Sequence, residues 1–180
     1  MTGAVALPGR ILSWSEDTTL RLWDSASGAG LATLEGHAKA VTGALALSDQ
    51  TLLSWSSDNT LRRWDGETGA ALTTLVGHTD GVRGAVPLPG RRLLSWSFDG
   101  TLCLWDFVTG ATLATLVGHT AEVNGAQVLR DGRILSWYGL TTGSVRCAVG
   151  GRRGSFFLSV ELHLVGRGEH GLERDPSPCP

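Results

Sequence analysis

The stretch that decides the fold is residues 77–116, GHTDGVRGAVPLPGRRLLSWSFDGTLCLWDFVTGATLATL, which is one unit of a pattern with a 41-residue period. Two motifs mark the period, and they stand at Trp23-Asp24, Trp64-Asp65 and Trp105-Asp106, and at Gly36-His37, Gly77-His78 and Gly118-His119. A fixed period in this range is the signature of a repeat architecture. A residue that occurs once per repeat is therefore expected to build the scaffold rather than to carry out chemistry.

Turn-forming residues divide this unit into four predicted strands, at 82–88, 93–97, 101–105 and 112–116. Pro89-Gly90 and Phe98-Asp99-Gly100 are the turn signals between the first three of them. Four short strands joined by short turns form an antiparallel meander. Both faces of the sheet would be apolar, so each unit is expected to stack between copies of itself.

The order of the motifs resembles the WD-repeat β-propeller family, in its bacterial type with near-identical tandem repeats. Gly-His, Ser-Trp-Ser-x-Asp-x-Thr-Leu and Trp-Asp keep phase over about residues 3 to 137. The resemblance implies an all-β fold of four-stranded antiparallel blades. We expect 1–137 to hold blade units of roughly 1–35, 36–76, 77–117 and 118–137 onward. About 3.5–4 blades would form an open arc, or a larger ring closed by self-association.

One departure from the family concerns the second strand of each unit, where a tryptophan stands between the two serines. The first strand of each unit carries Gly-Ala, where family members often have bulkier residues. We therefore expect the indole to fill the space that Gly-Ala leaves free. The tryptophans and their glycines are Trp14, Trp55, Trp96 and Trp137, and Gly3, Gly43, Gly84 and Gly125.

The resemblance also implies a structural hydrogen-bond network that ties a histidine, a serine, an aspartate and a tryptophan together in each blade. One set is His37, Ser54 (or Ser56), Asp58 and Trp64, and the other is His78, Ser95 (or Ser97), Asp99 and Trp105. A hydrolase could use histidine, serine and aspartate as a triad. However, a catalytic set is needed once, this set recurs with the fold, and its serines lack the flanking glycines of a nucleophile elbow.

The two end units hold incomplete sets. The first unit has Asp17 and Trp23 without a Gly-His of its own, and the fourth has His119 and Ser136. In the fourth unit the positions of the aspartate and the tryptophan hold Leu140 and Arg146. We therefore expect only two of the four blades to form the full network.

The repeat stops after Trp137, and two interpretations of the tail stay open. Residues 138–165 are either a degenerate continuation of the fourth blade or a frameshifted tail. The segment 143–149 could form a third strand, and alternation at 158–164 is typical of a strand. Residues 166–180 are polar with Gly and Pro, and we expect them to be disordered.

Composition excludes several classes of function. A net charge of −2 and a pI near 6.2 argue against a nucleic-acid or polybasic membrane surface. Cys103, Cys147 and Cys179 lack paired spacing, which favours free thiols in a reducing compartment over disulfides or zinc. No cofactor motif, signal peptide or membrane-spanning stretch is expected, and cytoplasmic localisation is the default.

The leading functional hypothesis is a scaffold or sensor module that binds a protein or peptide, related to a larger bacterial signalling protein and not an enzyme. Its specificity could lie at positions that vary between repeats, namely Glu16, Ser57 and Phe98; Lys39, Asp80 and Ala121; and Thr42, Arg83 and Asn124. Neutral drift would explain the same variation. A non-functional remnant of a larger propeller gene is the alternative, and a hydrolase with the His/Ser/Asp set is the weakest one.

Overall fold

The computed structural model describes residues 1–47 and 49–138 and the backbone of 144–150 and 158–163. These residues form four separate sheets, each with four antiparallel strands in sequence order. Blade 1 contains β1 (Gly3–Leu7), β2 (Arg10–Trp14), β3 (Leu20–Asp24) and β4 (Gly30–Leu34). Blade 2 contains β5 (Val41–Ala46), β6 (Thr51–Ser56), β7 (Thr60–Asp65) and β8 (Ala71–Val76).

Blade 3 contains β9 (Val82–Leu88), β10 (Arg92–Ser97), β11 (Leu102–Asp106) and β12 (Thr112–Leu116). Blade 4 contains β13 (Gly125–Val128), β14 (Ile134–Tyr138), β15 (Ser144–Gly150) and β16 (Leu158–His163). The meander predicted within one repeat is confirmed, with strand ends shifted by one residue in blade 3. The part of the chain that the structure describes contains no helix that could cross a membrane.

The blades stand side by side in an open arc. The first strands of neighbouring blades lie next to one another, β1 against β5, β5 against β9 and β9 against β13. The fourth strand of each blade is the opposite edge of its sheet. The predicted all-β open arc of four-stranded antiparallel blades is thus observed.

The core consists of apolar layers between neighbouring blades rather than of one central cluster. Alternate residues of a strand enter different layers: Leu52 packs with blade 1, whereas Leu53 packs with blade 3. A third layer joins Leu94 and Leu102 of blade 3 to Val123. Each fully buried leucine contributes about 1.5–3 kcal/mol relative to an exposed one, so these layers hold the arc together.

The predicted exchange between tryptophan and glycine is confirmed. Gly84 lies directly opposite Trp96 in the antiparallel register, and the same pairing joins Gly3 to Trp14, Gly43 to Trp55 and Gly125 to Trp137. A methyl group at any of these glycines would overlap the indole across the strand pair. The small residue of the first strand therefore makes the space for the large residue of the second.

The tail predictions can be compared with the structure only in part. Strands β15 and β16 pair with each other and complete the fourth sheet. They lie where the interpretation of 138–165 as a degenerate blade places strands. The choice between a decayed repeat and a shifted frame stays open, and the expected disorder of 166–180 concerns positions outside the described residues.

Candidate functional site

A buried polar cluster lies in blade 2 and ties the loop before β5 to the second and third strands. His37, in the loop before β5, places Nε2 at 2.8 Å from Ser54 Oγ and Nδ1 at 2.9 Å from Asp58 Oδ2. Trp64 on β7 donates its indole N–H to the same Ser54 Oγ, at 2.9 Å. One serine hydroxyl thus connects the imidazole and the indole, and the loop is tied to the second and third strands.

The ionised carboxylate of Asp58 determines the direction of each hydrogen bond. Asp58 is an acceptor when ionised, so His37 Nδ1 carries the proton and donates a hydrogen bond to the carboxylate. His37 Nε2 is then an acceptor, and the Ser54 hydroxyl donates to it while accepting from Trp64. Every polar atom of this chain of hydrogen bonds is satisfied with a neutral imidazole, which makes the cluster a closed set of donors and acceptors.

Burial and hydrogen bonds shift the pKa values of the histidine and the aspartate in this cluster. Burial lowers the pKa of His37, although Asp58 opposes this shift. Burial would raise the pKa of Asp58, but hydrogen bonds from Thr60, the Ala38 N–H and His37 outweigh it and lower the pKa to about 2. At neutral pH the pair is therefore a neutral imidazole beside a carboxylate.

Blade 3 repeats the cluster almost atom for atom. His78 lies 2.8 Å from Ser95 Oγ through Nε2 and 2.9 Å from Asp99 Oδ2 through Nδ1. Trp105 donates to Ser95 Oγ at 2.8 Å. In both blades the bonded serine is the one before the tryptophan of the second strand. The alternative serines, Ser56 and Ser97, instead donate to backbone carbonyls at Lys39 and Asp80.

The end blades hold parts of the cluster. In blade 1 Trp23 donates to Ser13 Oγ at 2.8 Å, and Asp17 accepts from Thr19 through Oδ1. In blade 4 His119 Nε2 lies 2.7 Å from Ser136 Oγ, and its ring meets Tyr138 edge-on. The predictions for Leu140 and for the Arg146 side chain concern positions outside the part that the structure describes.

The remaining repeat markers shape turns and close contacts. The aspartate of each Trp-Asp motif accepts backbone N–H bonds from the turn that comes after it, at Asp24, Asp65 and Asp106. The glycines before His37 and His78 lie against the blade, and a Cβ on Gly77 would meet Trp105 at 2.8 Å. Gly36 and Gly118 have φ values of 153° and 156°.

The serines of the two full clusters are enclosed, which bears on chemistry. Ser54 and Ser95 are each 0% exposed, and their hydroxyls already bond a histidine and a tryptophan. A nucleophile must meet its substrate, and these oxygen atoms have no free approach. The arrangement can therefore fix loops to strands, and it offers no open position for a reacting group.

A second polar cluster lies on the rim where the loop before each first strand meets the turn after the second strand. The Arg83 guanidinium stacks on the Phe98 ring at 4.8 Å. The same guanidinium donates to Asn124 Oδ1 at 2.6 Å and lies 3.4 Å from Glu122. Three of the variable positions singled out in the sequence thus meet across blades 3 and 4, and we call Arg83, Phe98, Glu122 and Asn124 the rim cluster.

Sequence reasoning missed one member of the rim cluster, and the structure shows a contact between blades at another variable position. Glu122 stands at the position of Ala40 and Gly81, which varies between repeats but was not singled out. The stacking of blades brings it to Arg83. Thr42, the counterpart of Arg83 in blade 2, donates to the Val82 carbonyl at 2.9 Å and so helps to join two blades. A hydroxyl at this position bridges backbones, whereas an arginine reaches out to the rim.

Fold and repeated network together define the class as a β-propeller assembly of four-stranded blades. The WD domain, G-beta repeat family matches residues 28–65 and 69–106. The fold is accordingly that of an open, partial β-propeller, and two of its repeats match the WD-repeat family model. No curated protein matches it significantly.

Solved structures give the same result. The chain superposes on the WD40 beta propeller domain of Doa1 with a TM-score of 0.67 and 26% identity, covering 89% of this chain and 52% of that one. It superposes on U3-55K with a TM-score of 0.70 and 26% identity, covering 81% of this chain and 47% of that one. The chain spans about half the length of both.

Proposed function

We propose that the protein is an interaction scaffold that binds a protein or peptide partner through its rim. The observation that carries the proposal is the rim cluster. An arginine stacked on an aromatic ring offers a flat apolar face and a charged edge, and both residue types are enriched where proteins bind each other. Arg83 keeps 39% of its side chain exposed, so part of this face is accessible.

The proposal assigns the His/Ser/Asp/Trp clusters to support and not to catalysis. They tie the loops at Gly36-His37 and Gly77-His78 to the second strands of blades 2 and 3. Fully buried serines support the same division of roles. We further propose a module of a larger bacterial signalling protein that works in the cytoplasm, because the chain's near-identical repeats resemble those of bacterial members of the family.

The experiment uses substitutions that the protein already contains elsewhere. Phe98→Ser and Arg83→Thr convert the rim of blade 3 into that of blade 2, where Ser57 and Thr42 stand. Partners captured by the wild-type chain should be identified, purified and titrated against both variants. We expect at least a tenfold loss of affinity, as for a contact worth about 1.4 kcal/mol.

Glu67→Gln is the matched control, since Glu67 is exposed in the turn between the third and fourth strands of blade 2. It should leave the affinity unchanged. A partner that binds the two rim variants as tightly as the wild type would contradict the assignment of the rim cluster.

A further inference from the structure

The exposed face of blade 1 carries the residues that blades 2 and 3 bury against their neighbours. Ala44 and Ala85 are each 8% exposed and Trp64 and Trp105 at most 1%. Their counterparts in blade 1 are the exposed Ala4 and the half-buried Trp23. Blade 1 therefore presents a surface whose shape and residues are those of a blade junction.

This surface also contains an unfilled half of the hydrogen-bond network. Asp58 and Asp99 receive the histidine through Oδ2 while Oδ1 binds a threonine of the turn. In blade 1 Asp17 binds Thr19 through Oδ1 and interacts with the Ser15 side chain, and among the described residues no histidine bonds it. Ser13 accepts from Trp23 and, in the same part of the chain, lacks the partner that His37 gives Ser54.

The strand pairing of blade 4 aligns the residues after its fourth strand with those after the fourth strand of blade 3. Ser144 pairs with His163 in blade 4 as Cys103 pairs with Thr115 in blade 3, and Ser144 and Cys103 are one period apart. The residues after His163 are Leu164-Val165-Gly166-Arg167, and those after Thr115 are Leu116-Val117-Gly118-His119. The segment after blade 4 thus repeats the Leu-Val-Gly that comes before the next blade in the regular repeats, with arginine in place of histidine.

We propose that the segment Leu164–Arg167 of a second copy of this chain docks on blade 1, with Arg167 between Asp17 and Ser13. An arginine carries several N–H donors in a fixed fork, so it can serve a carboxylate and a hydroxyl at once. Its charge opposes Asp17, which is exposed in one copy and would be covered in the pair. This inference specifies the contact by which the self-association expected from the sequence would close the open arc.

The docking is reciprocal, because each copy has one such segment and one such face. Blades 1 and 4 are the two ends of the arc, with blades 2 and 3 between them. Two copies joined end to end at both ends give a closed ring of about eight blades, the upper part of the usual range. A closed pair has a defined mass, whereas a one-sided contact would give an open polymer.

Light scattering after size exclusion tests the proposal on the full chain over a range of concentrations. We expect a species of twice the 19.0 kDa chain mass at high concentration. Asp17→Lys and Arg167→Asp should each raise the dissociation constant at least tenfold, and the double variant should restore it. Glu67→Lys and Arg130→Asp are the charge-matched controls, and near-UV circular dichroism checks that each variant is folded.

Several results would overturn the proposal: a monomer at all concentrations, an open-ended polymer, or a dimer that Asp17→Lys leaves intact. A synthetic peptide of residues 158–170 gives a second measurement that needs no folded variant. It should dissociate the dimer, and the same peptide with R167Q should be at least tenfold weaker. A peptide without effect would exclude this segment. Rim binding is measured separately with the Phe98 and Arg83 variants, so the failure of one proposal leaves the other standing.

Discussion

Replacing Gly84 with alanine or valine perturbs the contact between the first and second strands of blade 3 at one point. A Cβ built at Gly84 falls inside the van der Waals radius of the Trp96 six-membered ring. The indole cannot move away freely, because it packs in the layer between blades 3 and 4 and its Nε1 is buried. Overpacking of this kind costs about 1–3 kcal/mol, with valine at the upper end.

The measurement is urea denaturation monitored by tryptophan fluorescence, with thermal unfolding as a check. In a chain of this size each kcal/mol lowers the Tm by about 2–4 °C. Gly30→Ala is the matched control, since a Cβ there meets Trp23 only at 3.8 Å. It should change the free energy of unfolding by less than about 0.5 kcal/mol.

A double-mutant cycle separates overpacking from a general effect of the added methyl group. In a Trp96→Ala background the same Gly84→Ala substitution should cost little, which gives a coupling energy of at least about 1 kcal/mol. Additive effects, or a Gly84→Ala cost equal to that of Gly30→Ala, would refute the pairing of indole and glycine.

The network and the turns support three further predictions. Asp58→Ala should lower the free energy of unfolding by about 1–3 kcal/mol, because it leaves the buried His37 N–H unpaired. Asp131→Ala, at an exposed position, should leave the free energy of unfolding unchanged. Urea titration measures both. Acid should destabilise the fold, because His37 and His78 have a lowered pKa in the folded chain and the unfolded chain takes up protons first as pH falls through the ordinary 6.5. A second loss should occur as pH falls through 3.8 towards the folded-state value of about 2 for Asp58, and denaturation midpoints at several pH values would reveal both. Thr18→Gly should raise stability by roughly 0.5–1 kcal/mol, because Thr18 has a φ of 75° where blade 3 has Gly100 with a φ of 78°.

Each of these has a result that would contradict it. Equal costs at the two aspartates would remove the special role of the network. A stability that stays constant from neutral pH down to about pH 4 would contradict the lowered histidine pKa, since linkage requires a slope wherever the proton uptake differs. A loss of stability with glycine in the turn would mean that Thr18 makes a compensating contact.

The periodic part of the structure could be predicted from the sequence because each repeat decides it locally. Strand positions in blade 3, the antiparallel order and the pairing of Gly84 with Trp96 depend on turn residues and on side-chain size. The choice between Ser54 and Ser56 in the network could not be made in advance. Residues two apart on a strand share one face, so only the path of the loop before β5 decides which hydroxyl meets His37.

The contacts of the rim cluster could not be predicted from the sequence, because they depend on how the blades stack. Arg83 and Glu122 are 39 residues apart and come from different blades, so no local pattern relates them. The Arg63 side chain shows the same limit: it bonds Asp49 at 2.7 Å and lies 5.5 Å above the Phe107 ring of the next blade. Such contacts depend on the separation and tilt of two sheets, which the repeat pattern does not contain.

The alternation of Leu52 and Leu53 between two apolar layers has a consequence for how such a protein can grow. Each face of a blade is complementary in shape and polarity to the facing side of its neighbour. Equivalent residues line the apolar layers on either side of blade 2. A duplicated stretch of 41 residues would therefore enter between two blades with both junctions already complementary. Recombination between such repeats can change the number of blades in one step, without prior adjustment of either surface.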